Sequence, residues 1–101
     1  MSDILLVKTG QTHKVTQPQL DCLKILTEKK GRFVLVFYVW EQYQSLTKKE
    51  GRPDEGHTSS RMIANDLDDL FNKKIIERGA HSESAPHSCK GYRIIEDFEI
   101  V

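Results

Sequence analysis

The stretch HTSSRMIANDLDDLFNKKIIERGAHSESAPHSCKGYRII, residues 57–95, contains the pattern that decides the fold. Its first half has apolar residues at positions i, i+4, i+7 and i+8, which are Ile63, Leu67, Leu70 and Phe71. This spacing places one apolar stripe along a helix with 3.6 residues per turn. We therefore expect an amphipathic helix that begins near residue 58 and buries this stripe.

Both ends of this helix carry residues that suit a helix terminus. Thr58, Ser59 and Ser60 can each cap the first turn, because a side-chain oxygen there accepts a hydrogen bond from an unpaired backbone N–H. Lys73 and Lys74 fall at the other end, where cations suit the negative end of the helix dipole. We expect both lysines to lie in the last turn.

The second half of the stretch changes to a strand pattern. Ile75 and Ile76 are β-branched, and residues 92–95 (YRII) have the composition of a returning strand. Gly91 allows a bend or bulge where that strand begins. The nine residues 81–89 (HSESAPHSC) are small and polar and include a proline, so they predict a loop longer than most hairpin loops.

Two more helical segments precede this stretch. Thr16 can cap a helix that has Pro18 in its first turn and ends at residues 29–31 (KKG). Residues 32–37 (RFVLVF) fit either a short strand or the start of a buried helix, because periodicity does not decide for so short a run, and we interpret the first few as a strand. A further helix follows from about residue 37 and ends at the basic turn and glycine of residues 48–51 (KKEG).

This order of elements predicts an α+β fold of the winged helix-turn-helix type. It has three helices and a small antiparallel sheet with a long wing at residues 81–89. We place this domain at residues 15–101, with the tail after residue 95 extending the last strand. Residues 1–14 would be an N-terminal extension, in which residues 3–8 (DILLVK) form an added strand or pack in a dimer interface and residues 10–14 form a polar hinge.

Composition restricts the partners that such a domain can bind. The 101 residues include 15 basic and 15 acidic ones, so a DNA-binding face requires segregated charge rather than a basic chain. The longest apolar run, residues 33–40, has eight residues, whereas about 20 are needed to cross a bilayer. With no signal-peptide pattern at its start, the chain is expected to be intracellular and not to interact with membranes.

Three pieces of the sequence resemble the C-terminal winged-helix domain of archaeal and eukaryotic origin-recognition replication initiators. They are TQPQLDCLKILTEKKG (16–31), WEQYQSLTKKEG (40–51) and HTSSRMIANDLDDL (57–70), and the resemblance spans residues 16–95. The third piece is similar to that family's Thr-x-x-Arg recognition helix. The sequence departs from the family in having no P-loop or Walker motif, and in a wing that carries serine, histidine and Glu83 where the family is rich in arginine and glycine.

The resemblance implies that the helix enters the major groove of duplex DNA and that the wing, residues 81–93, lies against an adjacent groove. By this resemblance, the helix residues expected to contact DNA are Thr58, Ser59, Ser60, Arg61 and Asn65. Arginine reads guanine and asparagine reads adenine through paired hydrogen bonds. Hydroxyls and backbone N–H groups at the helix start can position phosphates. The charge for phosphate binding would come from Lys73, Lys74, Lys90 and Arg93.

Three aspartates on the same helix favour an alternative function. Asp66, Asp68 and Asp69 would repel phosphate if they faced DNA, although Asp69 is placed to pair with Lys73 at i+4. With the zero net charge, they suit a winged-helix module that binds a protein instead of DNA.

Other candidate sites have simpler explanations. His57, His81, His87 and Cys89 are suitable zinc ligands, but their spacing matches no zinc motif. Four aromatic residues could stack on bases, but we expect them to lie in the core. They are Phe37, Tyr38, Trp40 and Tyr43. Tyr92 is either a surface aromatic or packed under its strand, and Cys22 is expected to be a small core residue.

The sequence therefore predicts a sequence-specific double-stranded DNA-binding protein. It would be a transcriptional regulator or replication accessory factor of viral, plasmid or archaeal type. If it forms a homodimer, residues 3–8 or the first helix would supply the interface. No catalytic constellation or cofactor motif is present, and no small-molecule substrate is expected. The alternative is a winged-helix protein–protein interaction module without DNA binding.

Overall fold

The computed structural model describes residues 2–52, 59–80 and 90–101. The helices of this part of the chain are α1 (Gln17–Glu28), α2 (Val36–Lys49) and α3 (Ser60–Asn72). Its strands are β1 (Ser2–Leu6), β2 (Thr12–Val15), β3 (Val34–Leu35), β4 (Ile76–Ala80), β5 (Lys90–Ile94) and β6 (Phe98–Ile100). The predicted α+β class is confirmed. The predicted wing, residues 81–89, lies outside the described residues.

Helix α1 begins where the sequence predicts. The Thr16 side chain accepts a hydrogen bond from the Gln19 backbone N–H at 3.3 Å, and the Gln19 side chain accepts one from the Thr16 N–H at 3.0 Å. This reciprocal pair is a capping box, and Pro18 stands in the first turn, where its missing N–H removes no helical bond.

Helix α2 buries fewer of its aromatic side chains than the sequence predicts. Its buried positions are Val39, Tyr43 and Thr47, one turn apart. Because the helix begins at Val36, Phe37 points away from this stripe, and its side chain is 64% exposed. The expectation that Phe37 belongs to the core is therefore wrong. Trp40 is half-buried and stacks on Tyr43.

The antiparallel sheet β3-β5-β4 has an uninterrupted register between β4 and β5, from Ile76 opposite Ile94 to Ala80 opposite Lys90. The bulge considered at Gly91 is therefore not observed. Gly91 instead faces Gly79, and both lie under the side chain of Phe33. A Cβ atom at Gly79 would lie 2.6 Å from Phe33 Cζ, and one at Gly91 would lie 3.0 Å from the Phe33 carbonyl carbon. At Gly91 a side chain would press on the backbone at the start of β3, whereas at Gly79 it would displace the tip of the Phe33 ring.

The two faces of this sheet carry different residues. Ile76, Tyr92 and Ile94 are buried against the helices. Successive side chains of a strand point to opposite faces, so Glu77 and Arg93, which are paired across the strands, lie on the outer face with Phe33.

A second sheet, in the order β2-β1-β6, was only partly predicted. Residues 10–14 were expected to be a hinge, but Thr12–Val15 pairs with β1. The tail does not extend β5, because the chain turns at residues 95–97 and β6 pairs with the other edge of β1. Glu96 fixes this turn, since its carboxylate accepts hydrogen bonds from the N–H groups of Lys8 at 2.7 Å and Thr9 at 2.9 Å.

The surfaces considered for a homodimer are used within the chain itself. Strand β1 is paired on both sides, and Ile4 and Leu6 are buried in the same core as the helices. Leu23 and Leu26 of α1 are fully buried there as well. The dimer and the boundary at residues 14 and 15 stay predictions. Among the described residues, no helix has the length and apolar character needed to span a membrane.

Candidate nucleic-acid interface

Helix α3 presents a polar ridge opposite its buried stripe. Of the predicted stripe, Ile63, Leu67 and Leu70 are fully buried and Phe71 is half-buried. On the opposite side Arg61, Asn65 and Asn72 are exposed. Arg61 is exposed, and no described residue forms an ion pair or hydrogen bond with its guanidinium. The structure thus brings Arg61 and Asn65 together, one turn apart on one face.

The start of α3 carries further groups that can donate hydrogen bonds. Ser59 is the N-cap residue in an extended conformation, but its side chain makes no capping hydrogen bond. The predicted side-chain cap is therefore not observed at Ser59. Ser60 is the first helical residue and is half-buried, while Thr58 lies outside the described residues. The first N–H groups of a helix lack intrahelical acceptors and form a favourable place for an anion.

Asp69 is held to one side of the ridge by α1. Its carboxylate accepts a hydrogen bond from Gln19 Nε2 at 2.6 Å and pairs with Lys73 Nζ at 3.1 Å, the i, i+4 pair that the sequence predicts. The hydrogen bond from Gln19, and then Lys73, lowers the pKa of Asp69 below its ordinary value. This negative charge is thus partly neutralised within the protein.

Asp68 is held to the other side of the ridge by the sheet. It accepts a hydrogen bond from the hydroxyl of Tyr92 and lies 3.6 Å from the guanidinium of Arg78, which also covers the ring of Phe71 at 4.6 Å. Tyr92 is only 5% exposed, so it is packed under its strand and is not a surface aromatic. Burial, followed by the contact with Asp68, raises the pKa of Tyr92.

The four residues predicted to supply positive charge have different surroundings. Lys73 pairs with Asp69 and also donates to the Lys14 carbonyl at 3.3 Å. Arg93 pairs with Glu77 and lies 4.3 Å above the ring of Phe33, on the sheet face opposite to Tyr92. These two cations are engaged internally, and Arg93 is turned away from α3.

Lys74 and Lys90 complete the predicted set. Lys90 is the first residue of β5 and faces Ala80 in the register. Lys74 is exposed and has a φ of 63°, in the left-handed region that favours glycine. The sequence predicts Lys73 and Lys74 in the last turn of the helix, but α3 ends at Asn72 and Lys73 is its C-cap residue.

The end of α3 is a Schellman motif with Lys74 in the glycine position. The Ile75 N–H donates to the Leu70 carbonyl at 3.1 Å, and the Lys74 N–H donates to the Phe71 carbonyl at 2.9 Å. Ile75 and Leu70 are both buried, which gives the apolar contact that accompanies this motif. Lys74 is thus fixed as an exposed cation at the junction of α3 and β4.

A buried ion pair anchors the chain after α2 and was not predicted. Asp21 of α1 is fully buried, and the two guanidinium nitrogens of Arg52 lie 3.2 Å from its two carboxylate oxygens. Gln17 Nε2 also donates to Asp21 at 3.2 Å, and Glu50 pairs with Arg52. The pair fixes the exit from α2, before the segment that leads to α3. Sequence patterns give no signal for a contact between residues so far apart.

The described residues do not assemble a metal site. They contain no group of three or more histidine, cysteine or acidic side chains placed to hold a metal ion. The candidate ligands His57, His81, His87 and Cys89 lie outside the described residues. Cys22 is fully buried as expected, and burial raises the pKa of its thiol, which keeps the thiol neutral.

The fold is similar to that in the structure of the Aeropyrum pernix ORC1 protein in complex with DNA. The TM-score is 0.65 at 18% sequence identity, and the match covers 82% of this chain and 22% of the ORC1 chain. The resemblance to origin-recognition initiators that the sequence suggests is thus confirmed for the fold. No protein-family model matches the sequence, and no curated protein is similar to it in sequence.

Proposed function

We propose that this protein binds double-stranded DNA and that the amino-terminal half of α3 recognises its sequence. The observation that carries the proposal is the exposed pair of Arg61 and Asn65, which share one face of α3 with no acidic side chain between them. An arginine and an asparagine at this spacing can read adjacent base edges in the major groove. Ser59 and Ser60, with Thr58, would position a phosphate at the helix start.

The surroundings of the aspartates support this orientation. Asp68 and Asp69 flank the ridge and bind Tyr92 and Gln19, so their charges are partly compensated away from the Arg61 end. Lys74 is an exposed cation just beyond the far end of the helix. The protein that shares the fold, A. pernix ORC1, was solved in complex with DNA, which supports a DNA partner for this chain.

The proposal extends to a sequence-specific regulator of transcription or an accessory factor of replication, of viral, plasmid or archaeal type. The chain spans 22% of the length of the ORC1 chain that it matches, so initiator activity is not part of the proposal. We propose a binding function without catalysis. Lys73 and Arg93, already engaged in the protein, would contribute less to phosphate binding than the exposed Lys74, and Lys90 completes the proposed set.

A second function is favoured by the charge of the described surface. Helix α3 carries one arginine and three aspartates, and its neighbours Lys73 and Arg93 are neutralised by Asp69 and Glu77. This mixed surface suits a winged-helix module that binds a basic segment of another protein. Such a module would bind that segment through the same ridge and would not bind DNA.

Titration of a labelled mixed-sequence duplex at several salt concentrations distinguishes the two functions. We expect micromolar or tighter binding that weakens as salt rises, with a slope of about −0.9 for each phosphate contacted. A duplex selected for tighter binding would then define the sequence preference. If no duplex binds at low salt, the proposal is wrong and the ridge of α3 is a protein-binding surface.

A further inference from the structure

The outer face of the β3-β5-β4 sheet borders a groove that does not involve α3. A cavity of about 290 Å³ is lined by Lys29, Arg32, Phe33, Val34, Leu35 and Tyr38. These residues come from the end of α1, from β3 and the segment before it, and from the first turn of α2. Because no described residue of α3 lines the cavity, a ligand there would leave the proposed DNA-reading ridge accessible.

The groove has an apolar floor and two cations at its rim. Phe33, Val34 and Leu35 form the floor, and Lys29 Nζ lies 5.6 Å from the centre of the Tyr38 ring. In residues 2–52, 59–80 and 90–101, no carboxylate forms an ion pair with Lys29 or Arg32.

Two neighbouring cations, Lys30 and Arg93, do pair with carboxylates. Lys30 pairs with Asp97 at 2.8 Å, and Arg93 pairs with Glu77. Since the nearby carboxylates serve these two residues, Lys29 and Arg32 are left to attract negative charge from another molecule. The groove therefore combines a volume for an apolar group with two anion-binding positions.

We propose that this groove binds an acidic peptide segment of a partner protein. One apolar side chain of the peptide fills the cavity, and acidic residues on either side of it pair with Lys29 and Arg32. The cavity lies at the small end of the range of ligand pockets, about 300 Å³, which suits one large side chain better than a whole cofactor. Strand β3 is at the edge of its sheet, so the peptide backbone can align beside it.

Single-stranded nucleic acid fits the groove less well. Stacked bases need free ring faces, whereas Arg93 covers Phe33 and Lys29 lies over Tyr38. Phe37 is exposed, but Glu41 follows it one helical turn later and is also exposed, which disfavours a phosphate backbone there. An acidic peptide needs no free ring face, and its carboxylates can lie at Lys29 and Arg32, away from Glu41.

Selection from a random 12-residue peptide library displayed on phage tests the proposal. Wild-type protein is the target, and the selected peptides are measured against Arg32→Glu, Lys29→Glu and the control Lys48→Glu, with thermal melts to verify folding. Lys48 is an exposed lysine of α2 outside the groove, so its variant makes the same charge change at a different place. Oligothymidine of 12 nucleotides is measured with the same proteins.

We expect selected peptides with acidic residues around an apolar one, and affinities that fall roughly tenfold or more in the two groove variants but not in Lys48→Glu. Selection without an acidic bias, or peptides that bind all variants equally, overturns the proposal. Oligothymidine binding that is lost in Arg32→Glu while no acidic peptide is selected overturns it too, and assigns the groove to nucleic acid.

Discussion

The hydroxyl of Tyr92 on β5 donates a hydrogen bond to the carboxylate of Asp68 on α3. This contact joins the proposed recognition helix to the sheet and removes one acidic side chain from the helix ridge. Tyr92 is buried, whereas the side chain of Asp68 is 49% exposed and also lies near Arg78. Solvent can therefore replace part of the contact on the Asp68 side.

Replacing Tyr92 with phenylalanine tests this contact. We expect Tyr92→Phe to lower the free energy of unfolding by about 1 kcal/mol, the usual net value of one hydrogen bond. Chemical denaturation at neutral pH measures this change. An unchanged stability would mean that the hydroxyl is equally well solvated in the unfolded chain, and that the contact contributes nothing.

The same residue predicts a change of stability with pH. The pKa of Tyr92 is raised in the folded protein, chiefly by burial, from an ordinary value near 10. Folding therefore favours the neutral phenol, so its stabilisation is complete below pH 10 and is lost as pH rises through the higher folded pKa. Stability in this alkaline range should fall more steeply for the wild type than for Tyr92→Phe, in which the remaining tyrosines serve as the control.

The ion pair of Asp21 and Arg52 predicts unequal effects of its two partners. Arg52→Met leaves a fully buried carboxylate without its cation, and we expect a loss of about 3 kcal/mol. Asp21→Asn leaves Arg52 paired with Glu50 and 20% exposed, so a smaller loss of about 1.5 kcal/mol is expected. Asp21→Leu combined with Arg52→Met should recover part of the stability lost in Arg52→Met alone. Equal losses in the single variants would contradict this.

The elements that the sequence predicted correctly are those with a local signal. The stripe of Ile63, Leu67 and Leu70 follows the helical period, and the predicted cap at Thr16 acts within the first turn that follows it. Their geometry is set by neighbours in sequence, so periodicity and side-chain chemistry were sufficient.

The features that were missed depend on residues far apart in the chain. Strand β2 was taken for a hinge because its side chains are mainly polar, and Val15 alone in it is fully buried. Tail residues 96–101 leave the β5 sheet because Glu96 binds the turn at residues 8 and 9. In the candidate site, the sequence placed Arg61 and Asn65 on one face, but not the pairing of Arg93 with Glu77 across the sheet.

The backbone conformation of Lys74 lowers stability, whereas its charge is proposed to favour DNA binding, so substitutions there should affect the two properties differently. Because its φ of 63° suits glycine, Lys74→Gly should raise the free energy of unfolding by about 1 kcal/mol. The same change removes an exposed cation and should weaken binding to all duplexes alike. The matched variant Lys74→Ala keeps the strained backbone and loses the charge, so it should weaken DNA binding without the gain in stability. Denaturation and duplex titration of both variants separate the two effects, and unchanged DNA affinity in both would remove Lys74 from the interface.

Arg61 and Lys90 should affect DNA binding in different ways. If Arg61 reads a base, Arg61→Ala costs about 1 to 3 kcal/mol on the preferred duplex and reduces the preference over other sequences. Lys90→Ala removes a phosphate contact in the proposal, so it should weaken all duplexes equally and make the salt slope about one unit shallower. Titrations with a selected and a shuffled duplex compare the two, and a uniform loss in both variants would show that Arg61 contacts only the backbone.

Asn65 and Asn72 provide the sharpest test of which part of α3 meets the DNA. Both are exposed asparagines on the same ridge, about 10 Å apart along the helix axis, so their alanine variants remove the same amide in similar surroundings. Asn72 is the last residue of α3, about three turns from the helix start, where the proposed base and phosphate contacts lie. We therefore expect Asn65→Ala to reduce the affinity for the selected duplex by about 1 to 3 kcal/mol and Asn72→Ala to leave it unchanged. A larger effect at Asn72 would reverse the orientation of the helix in the groove, and equal small effects would mean that the ridge does not read bases.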